Sequence, residues 1–234
     1  MEGDLTFASF KGSMDLSMEA MCRELFRENR ATIKISKEEV AVKNLVKILQ
    51  AALTLCNRKG FATMSLRDLS REAGLSMGAL YSYFAGKEDL LRLVQSQGRR
   101  VVLRVLESHT RGIDDPRVRL RRAMCAHLYL SELMQPWFYL SYMETKHFPR
   151  DEYRKAIDAE LFTEKILVDI VKDGQERGVF KAVDAGLLGA TIKAMLQDWY
   201  LKRGKYTKRR TSVDQYAAFL MGFIESYLLA DNER

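Results

Sequence analysis

Proline is scarce in this 234-residue sequence: Pro116, Pro136 and Pro149 are the only three. No proline therefore interrupts a helix before residue 116. Cysteine is as scarce, with Cys22, Cys56 and Cys125 forming an odd, widely spread set. That usage argues against a disulfide framework and for a reducing compartment, so the cytoplasm is the expected location. No apolar run approaches the ~18 residues a membrane helix needs, and no membrane partner is expected. The opening Met1-Glu2-Gly3-Asp4 is acidic and lacks the basic region of an export signal, so export is not expected. Alternating runs rich in Val, Ile and Thr are rare, and no repeat of about 20–50 residues stands out. His109, His127 and His147 are the only histidines. With no His-Glu-x-x-His and no Cys-x-x-Cys, metal chemistry has no motif, and Cys125-x-His127 is a weak pair. Neither a cofactor nor an enzymatic activity is expected.

What is present is apolar spacing of three and four along most of the chain. That period predicts an all-α fold. Apolar residues make up 47% and charged residues 29%, which suits a globular chain with a sizeable core. The net charge is 38 − 31 = +7. Residues 36–110 hold 12 basic and 7 acidic residues, so most of the excess lies there. A positive surplus in one region suits an anionic partner.

Residues 1–35 read as an extension. Met14, Met18, Met21, Cys22, Leu25 and Phe26 follow helical spacing, which predicts an amphipathic helix over 15–29 that serves as a packing arm or a partner-binding helix. Ser36-Lys37-Glu38-Glu39 has the form of a capping box, with Ser36 as the cap. Val42, Leu45, Val46, Leu49, Ala52, Leu53 and Cys56 then form one stripe, and Gly60 ends the helix. Ser65 caps a short helix ending at Gly74, and Ser76 opens another running to about Phe84. From Lys87 a long helix runs to about Ser108. Two short helices joined by a glycine-containing turn read as a helix-turn-helix.

The stretch from Gly60 to Leu91 carries Ala73-Gly74-Leu75-Ser76, then Gly78-Ala79-Leu80-Tyr81-Ser82-Tyr83-Phe84, then Lys87-Glu88-Asp89-Leu90. It resembles the TetR family of bacterial transcription regulators. Met64 stands where that family usually has Thr, which leaves capping to Ser65. The resemblance implies a three-helix DNA-binding domain over 36–86, a connecting helix over 87–110, and a helical ligand-binding and dimerisation domain over 111–234. It also implies that Tyr81, Tyr83 and Lys87 touch DNA.

Around that motif, phosphate neutralisation would fall to Lys59, Arg67, Arg71 and Lys87. Ser76 would cap its helix and reach a phosphate. Gly78 would let the helix approach the duplex, and Met77, Ala79 and Ser82 could meet base edges or thymine methyls. None of these three is a bidentate base reader, so no operator sequence follows.

Helices are expected from near Pro116, over 151–176, over 184–202 and over 212–229, with Pro136 interrupting the first. The last is apolar on two faces, which asks for two partners. By resemblance it pairs with its preceding helix across a homodimer axis, where Gly189, Ala190, Ala217, Ala218 and Gly222 would permit close approach. Large apolar and amphipathic residues nominate an effector site: Tyr129, Met134, Trp137, Phe138, Tyr142, Phe162, Met195, Trp199 and Tyr200. Lys202, Arg203, Lys205, Lys208, Arg209 and Arg210 follow, and would give an apolar tunnel a cationic mouth. The expected function is a repressor released from a near-palindromic operator by a hydrophobic or amphipathic effector, with long-chain acyl-coenzyme A a candidate. The alternative is an effector-independent architectural DNA-binding protein.

Overall fold

The computed structural model describes residues 5–145 and 148–229. The first four residues, read above for an export signal, and His147 lie outside them. The described residues form twelve helices: α1 (Phe7–Ser13), α2 (Met18–Glu28), α3 (Glu38–Lys59), α4 (Leu66–Ala73), α5 (Met77–Leu80), α6 (Lys87–Thr110), α7 (Pro116–Leu133), α8 (Gln135–Met143), α9 (Arg150–Glu176), α10 (Ala185–Leu201), α11 (Arg203–Lys208) and α12 (Val213–Leu228). One isolated bridge joins Phe180 and Leu229. The chain is all-α.

It divides into two compact units. One comprises Met14–Val101 and Pro136–Ala156, the other Met1–Ser13, Val102–Gln135 and Ile157–Arg234. The chain passes between them four times: after Ser13, within α6 after Val101, at the start of α8 after Gln135, and within α9 after Ala156.

In the first unit α2 lies on α3 through Met21, Cys22, Leu25 and Phe26, all buried. Each such side chain contributes about 1.5–3 kcal/mol of burial. The expected box at Ser36 does not form. Lys37 is the N-cap of α3 and makes no side-chain cap bond. Glu39, the residue that would have closed the box, instead accepts from Arg23 of α2 at 2.7 Å, and Glu38 accepts from the same guanidinium at 3.1 Å. A charge-assisted pair between two helices outweighs a local cap here. Residues 14–35 of the extension are thus a folded part of this unit, clamped to α3.

Trp137 of α8 lies in the same unit. Its indole N–H donates to the Val94 carbonyl at 3.0 Å. The ring sits where a Cβ on Gly98 would be 2.6 Å from Nε1. Gly98 therefore supplies the slot that lets α8 lie against α6, and Trp137 is a packing residue there.

In the second unit α7 is buried along most of its length. Asp115 caps it, accepting from the Arg117 N–H at 2.8 Å, and Pro116 occupies the first turn, where its missing N–H costs nothing. Phe10 of α1 is fully buried, its ring 5.7 Å from Tyr129 and 5.2 Å from His109. Gly189 is spent inside the chain, since a Cβ there would lie 2.5 Å from Val168 of α9. Ala217 is buried as well. Neither offers the close approach to a second chain expected of it, because both already serve the core.

Candidate nucleic-acid interface and effector domain

The helix-turn-helix is built by local chemistry. Ser65 and Asp68 form a reciprocal capping box at the start of α4. Gly74 then takes φ 64°, a left-handed conformation that a side chain would strain, and the chain turns into α5. Ser76 accepts from the Ala79 N–H at 3.2 Å and so caps α5. Gly74-Leu75-Ser76-Met77-Gly78 happens to spell Gly-x-Ser-x-Gly, the nucleophile-elbow pattern. It lies between two helices with its hydroxyl spent on a cap, so the strand-to-helix context of that motif is absent.

Two of the four expected phosphate carriers are tied down. Lys59 and Arg71 both pair with Asp68, at 2.6 and 2.9 Å. The bond from Lys59, and after it those from Ser65, hold the Asp68 carboxyl well below the usual carboxylate range. Lys87 donates to the Ala62 carbonyl at 2.9 Å and lies 4.5 Å over the Phe61 ring, fastening the start of α6 to the turn before α4. Arg67 is exposed and has no ion pair among the described residues.

The proposed base-facing residues divide by exposure. Ser76, Gly78 and Tyr81 are exposed, and Met77, Ala79 and Ser82 are half-buried. A Cβ on Gly78 would meet nothing within 4 Å, so its surface is open. Tyr81 is 47% exposed while Tyr83 is only 2% exposed. The two tyrosines of the motif therefore differ in kind: Tyr81 presents its ring and hydroxyl, and Tyr83 belongs to the core.

Residues 48–94 match the family model described as bacterial regulatory proteins, tetR family, and residues 114–224 match a tetracyclin repressor-like, C-terminal domain. The chain belongs to the TetR family. It is 25% identical over 183 residues to the transcriptional regulator HbdR of Aromatoleum sp. strain CIB, covering 78% of this chain and 80% of that one. Among solved structures, a TetR-family protein from Rhodococcus RHA1 superposes with a TM-score of 0.71 at 19% identity, covering 81% of this chain and 99% of that one. PfmR of Thermus thermophilus is 31% identical with a TM-score of 0.61, covering 65% of this chain and 84% of that one. This TetR-family chain is accordingly a DNA-binding transcription regulator with a helical C-terminal ligand-binding domain. No helix among its described residues is long and apolar enough to cross a membrane.

The nine residues nominated for an effector site are divided between the two units. Trp137, Phe138 and Tyr142 belong to the first unit, and Tyr142 is exposed. In the second unit Phe162 is exposed, whereas Met134, Trp199 and Tyr200 are buried. Trp199 stacks on Tyr216 at 5.1 Å and lies 4.8 Å from Tyr206, and its N–H donates to Glu132 at 2.9 Å. Met195 gives its carbonyl to the Tyr216 hydroxyl at 2.7 Å. These are the ties of a core rather than a pocket wall. The expected cationic mouth is half neutralised too. Lys202 and Lys205 pair with Asp198, and Arg203 pairs with Glu132. Burial would raise the Asp198 carboxyl, but its bonds from Lys202, Lys205 and Tyr206 prevail and bring it to about 2.

A different cavity does exist in the second unit, of about 650 Å³, between α7 and α12. Tyr129 is the one nominated residue that lines it. Its hydroxyl lies 2.7 Å from the Asp214 carboxylate and 3.0 Å from the Leu5 carbonyl. Arg117, Arg121 and Arg122 line the cavity from α7, with Val118, Ala217, Met221 and Leu229 as apolar wall. Arg121 is held by Glu225, at 2.6 and 2.7 Å through one nitrogen. Within the run Arg117-Val118-Arg119-Leu120-Arg121-Arg122, Arg117 and Arg121 stand four apart on one face of α7, while Arg119 turns away to pair with Asp173.

A buried polar cluster escaped the sequence altogether. Lys193 of α10 donates to His127 Nε2 at 3.1 Å and to the Thr163 hydroxyl at 2.9 Å, with Glu160 3.7 Å away. Burial drives the His127 imidazole well below its ordinary 6.5, and the Lys193 ammonium pushes the same way. The folded state thus keeps His127 neutral, while the unfolded chain protonates it below about pH 6.5. The unfolded state then binds the additional proton, so stability is present above that pH and is lost as pH falls. Urea unfolding at about pH 7 and pH 5 should show a loss of up to about 2 kcal/mol from this one group. His127→Gln keeps an acceptor for Lys193 and should flatten the dependence in that window. An unchanged dependence would assign the effect elsewhere.

Proposed function

We propose that the chain is a repressor that binds a near-palindromic operator as a homodimer and leaves it when an amphipathic anion binds its C-terminal domain. The observation that carries the reading is the open face of the helix-turn-helix: Arg67, Ser76, Gly78 and Tyr81 are all exposed, whereas the nearby Lys59 and Arg71 are paired with Asp68. Placed in the major groove, α5 would present its first turn to base edges, and the dimer would set two such helices about 34–36 Å apart.

For the dimer, α10 presents Leu187, Ala190 and Ala194 on one stripe, and α12 presents Phe219, Phe223 and Tyr227. Leu187 of α10 and Phe219 of α12 are each 69% exposed, a large amount for apolar side chains. Such residues gain by meeting a second copy. Ala218, Gly222 and Glu225 line the α7–α12 cavity while Phe219, Phe223 and Tyr227 do not, so dimer and effector would use different residues of α12.

For the effector, the cavity size lies within the roughly 300–1,000 Å³ of small-molecule pockets. Arginine forks at one wall and aliphatic side chains at another suit a carboxylate or phosphate on an apolar body. Long-chain acyl-coenzyme A loses ground to a free amphipathic carboxylate, because the cations meant for its phosphates at 202–205 do not line this cavity. To move the protein from 1:99 to 99:1 between binding-competent and released states, the effector must favour one state by about 10⁴-fold.

Selecting the operator from random duplexes and then measuring affinity by anisotropy tests the whole reading. Arg67→Gln should lower the slope of log affinity against log salt by about 0.9, one phosphate contact, without unfolding the chain. Laurate should then weaken operator binding more than lauroyl-coenzyme A or dodecanol does. An affinity indifferent to all three would favour the architectural reading.

A further inference from the structure

The segment ahead of α3 meets the end of α5. The Lys34 N–H donates to the Ser82 carbonyl at 2.8 Å, so this segment lies directly beside the helix proposed to enter the groove. Ile33 next to it is buried and anchors the segment, while the side chains of Lys34 and Lys37 are exposed.

The charges around this segment are unevenly spent. Glu19, Glu38 and Glu39 all pair with Arg23, and Glu38 also with Arg27. Glu28 pairs with Arg100, and Glu24 accepts from Gln97 at 3.0 Å. Every carboxylate from residue 19 to residue 39 therefore has a partner within the unit. Lys34 and Lys37 have no ion pair among the described residues. Arg30 is different, since its guanidinium lies 5.4 Å over the Phe26 ring. The segment thus shows two uncompensated ammonium groups on a backbone fixed against the recognition helix. A flexible tail would lose much of its contact energy to ordering, whereas this one is already ordered by α2, by Ile33 and by the Lys34–Ser82 bond.

We propose that residues 34–37 form a second DNA-contacting element of this protein, with Lys34 and Lys37 neutralising backbone phosphates beside the groove that α5 occupies. Lysine acts there as a point charge on a flexible stem, which suits phosphates rather than base edges. The element adds affinity and fixes orientation, and it reads no sequence. It also gives the N-terminal extension a role: α2, clamped by Arg23, holds the segment in place. The proposal rests on the DNA-binding reading of α5 but not on the effector or the operator.

The test uses the full chain with Lys34→Gln and Lys37→Gln together, and a control with Lys208→Gln, Arg209→Gln and Arg210→Gln, an exposed trio in the second unit. Affinity is measured against salt for the selected operator and for a random duplex of equal length, with thermal unfolding as the fold check. The double variant should lose about 1.8 from the salt slope, about 0.9 for each phosphate contact, on both duplexes alike and with unchanged melting. The control should leave the slope within about half a unit of wild type. A double variant with the wild-type slope, or one matched by the control, would overturn the proposal, as would a loss confined to the operator. Failure of Arg67→Gln to change binding would count against α5 instead, so the two outcomes are separable.

Discussion

Replacing Phe223 with Glu is expected to leave the chain folded and to convert the dimer into a monomer. Phe223 is 54% exposed in the single chain, so its removal opens no core cavity. In a dimer built on α10 and α12, however, the carboxylate would be buried opposite its own symmetry mate. A buried unpaired charge costs several kcal/mol, and like charges across a two-fold axis add to that. Interface anchors of this kind commonly cost 2 kcal/mol or more when truncated, roughly 30-fold in affinity, and a charge should exceed that. Operator affinity should fall by at least about 100-fold, since each half-site would then be bound independently. Leu220→Glu is the contrasting variant. Leu220 is buried on the inner side of α12, and its replacement should unfold the second unit. Sedimentation of both variants beside wild type distinguishes a lost interface from a lost fold. Phe223→Glu that remains dimeric would place the interface elsewhere.

Tyr83→Ala is expected to destabilise the first unit by about 3 kcal/mol or more, the range for emptying an aromatic site in a core. Tyr81→Ala should leave stability nearly unchanged and weaken DNA binding, by about 1–3 kcal/mol if its hydroxyl donates to a phosphate. The pair stands two residues apart in one motif, yet one side chain is buried and the other open. Chemical denaturation and anisotropy on both variants check the assignment. Equal losses of stability in the two would contradict it.

That contrast marks how far the sequence reaches. The helix-turn-helix was legible because its signals are local: Ser65 and Ser76 at caps, Gly74 at a left-handed turn, Leu69 and Leu80 at core spacing. Pro116 and Asp184 likewise marked the starts of α7 and α10, whereas α11 forms within the basic stretch 202–210, where no helix was expected. Which tyrosine faces outward depends on how α5 lies against its neighbours, and spacing alone could not say. The box at Ser36 misled because Arg23, thirteen residues earlier, competes for its carboxylate. Aromatic content likewise pointed to an effector site at Trp199, while the rings there satisfy one another and Glu132. The α7–α12 cavity draws on Leu5, Arg117 and Asp214, distant in sequence, and no local pattern joins them.

The central claim is that two copies of this chain grip one operator through α5. Titration of a fixed, selected duplex with the full chain, read by sedimentation and anisotropy together, tests it most directly. Saturation at two chains per duplex is expected, with a preference for the selected duplex over random DNA and loss of both on Phe223→Glu. Saturation at one chain per duplex, or equal affinity for selected and random DNA, would contradict it.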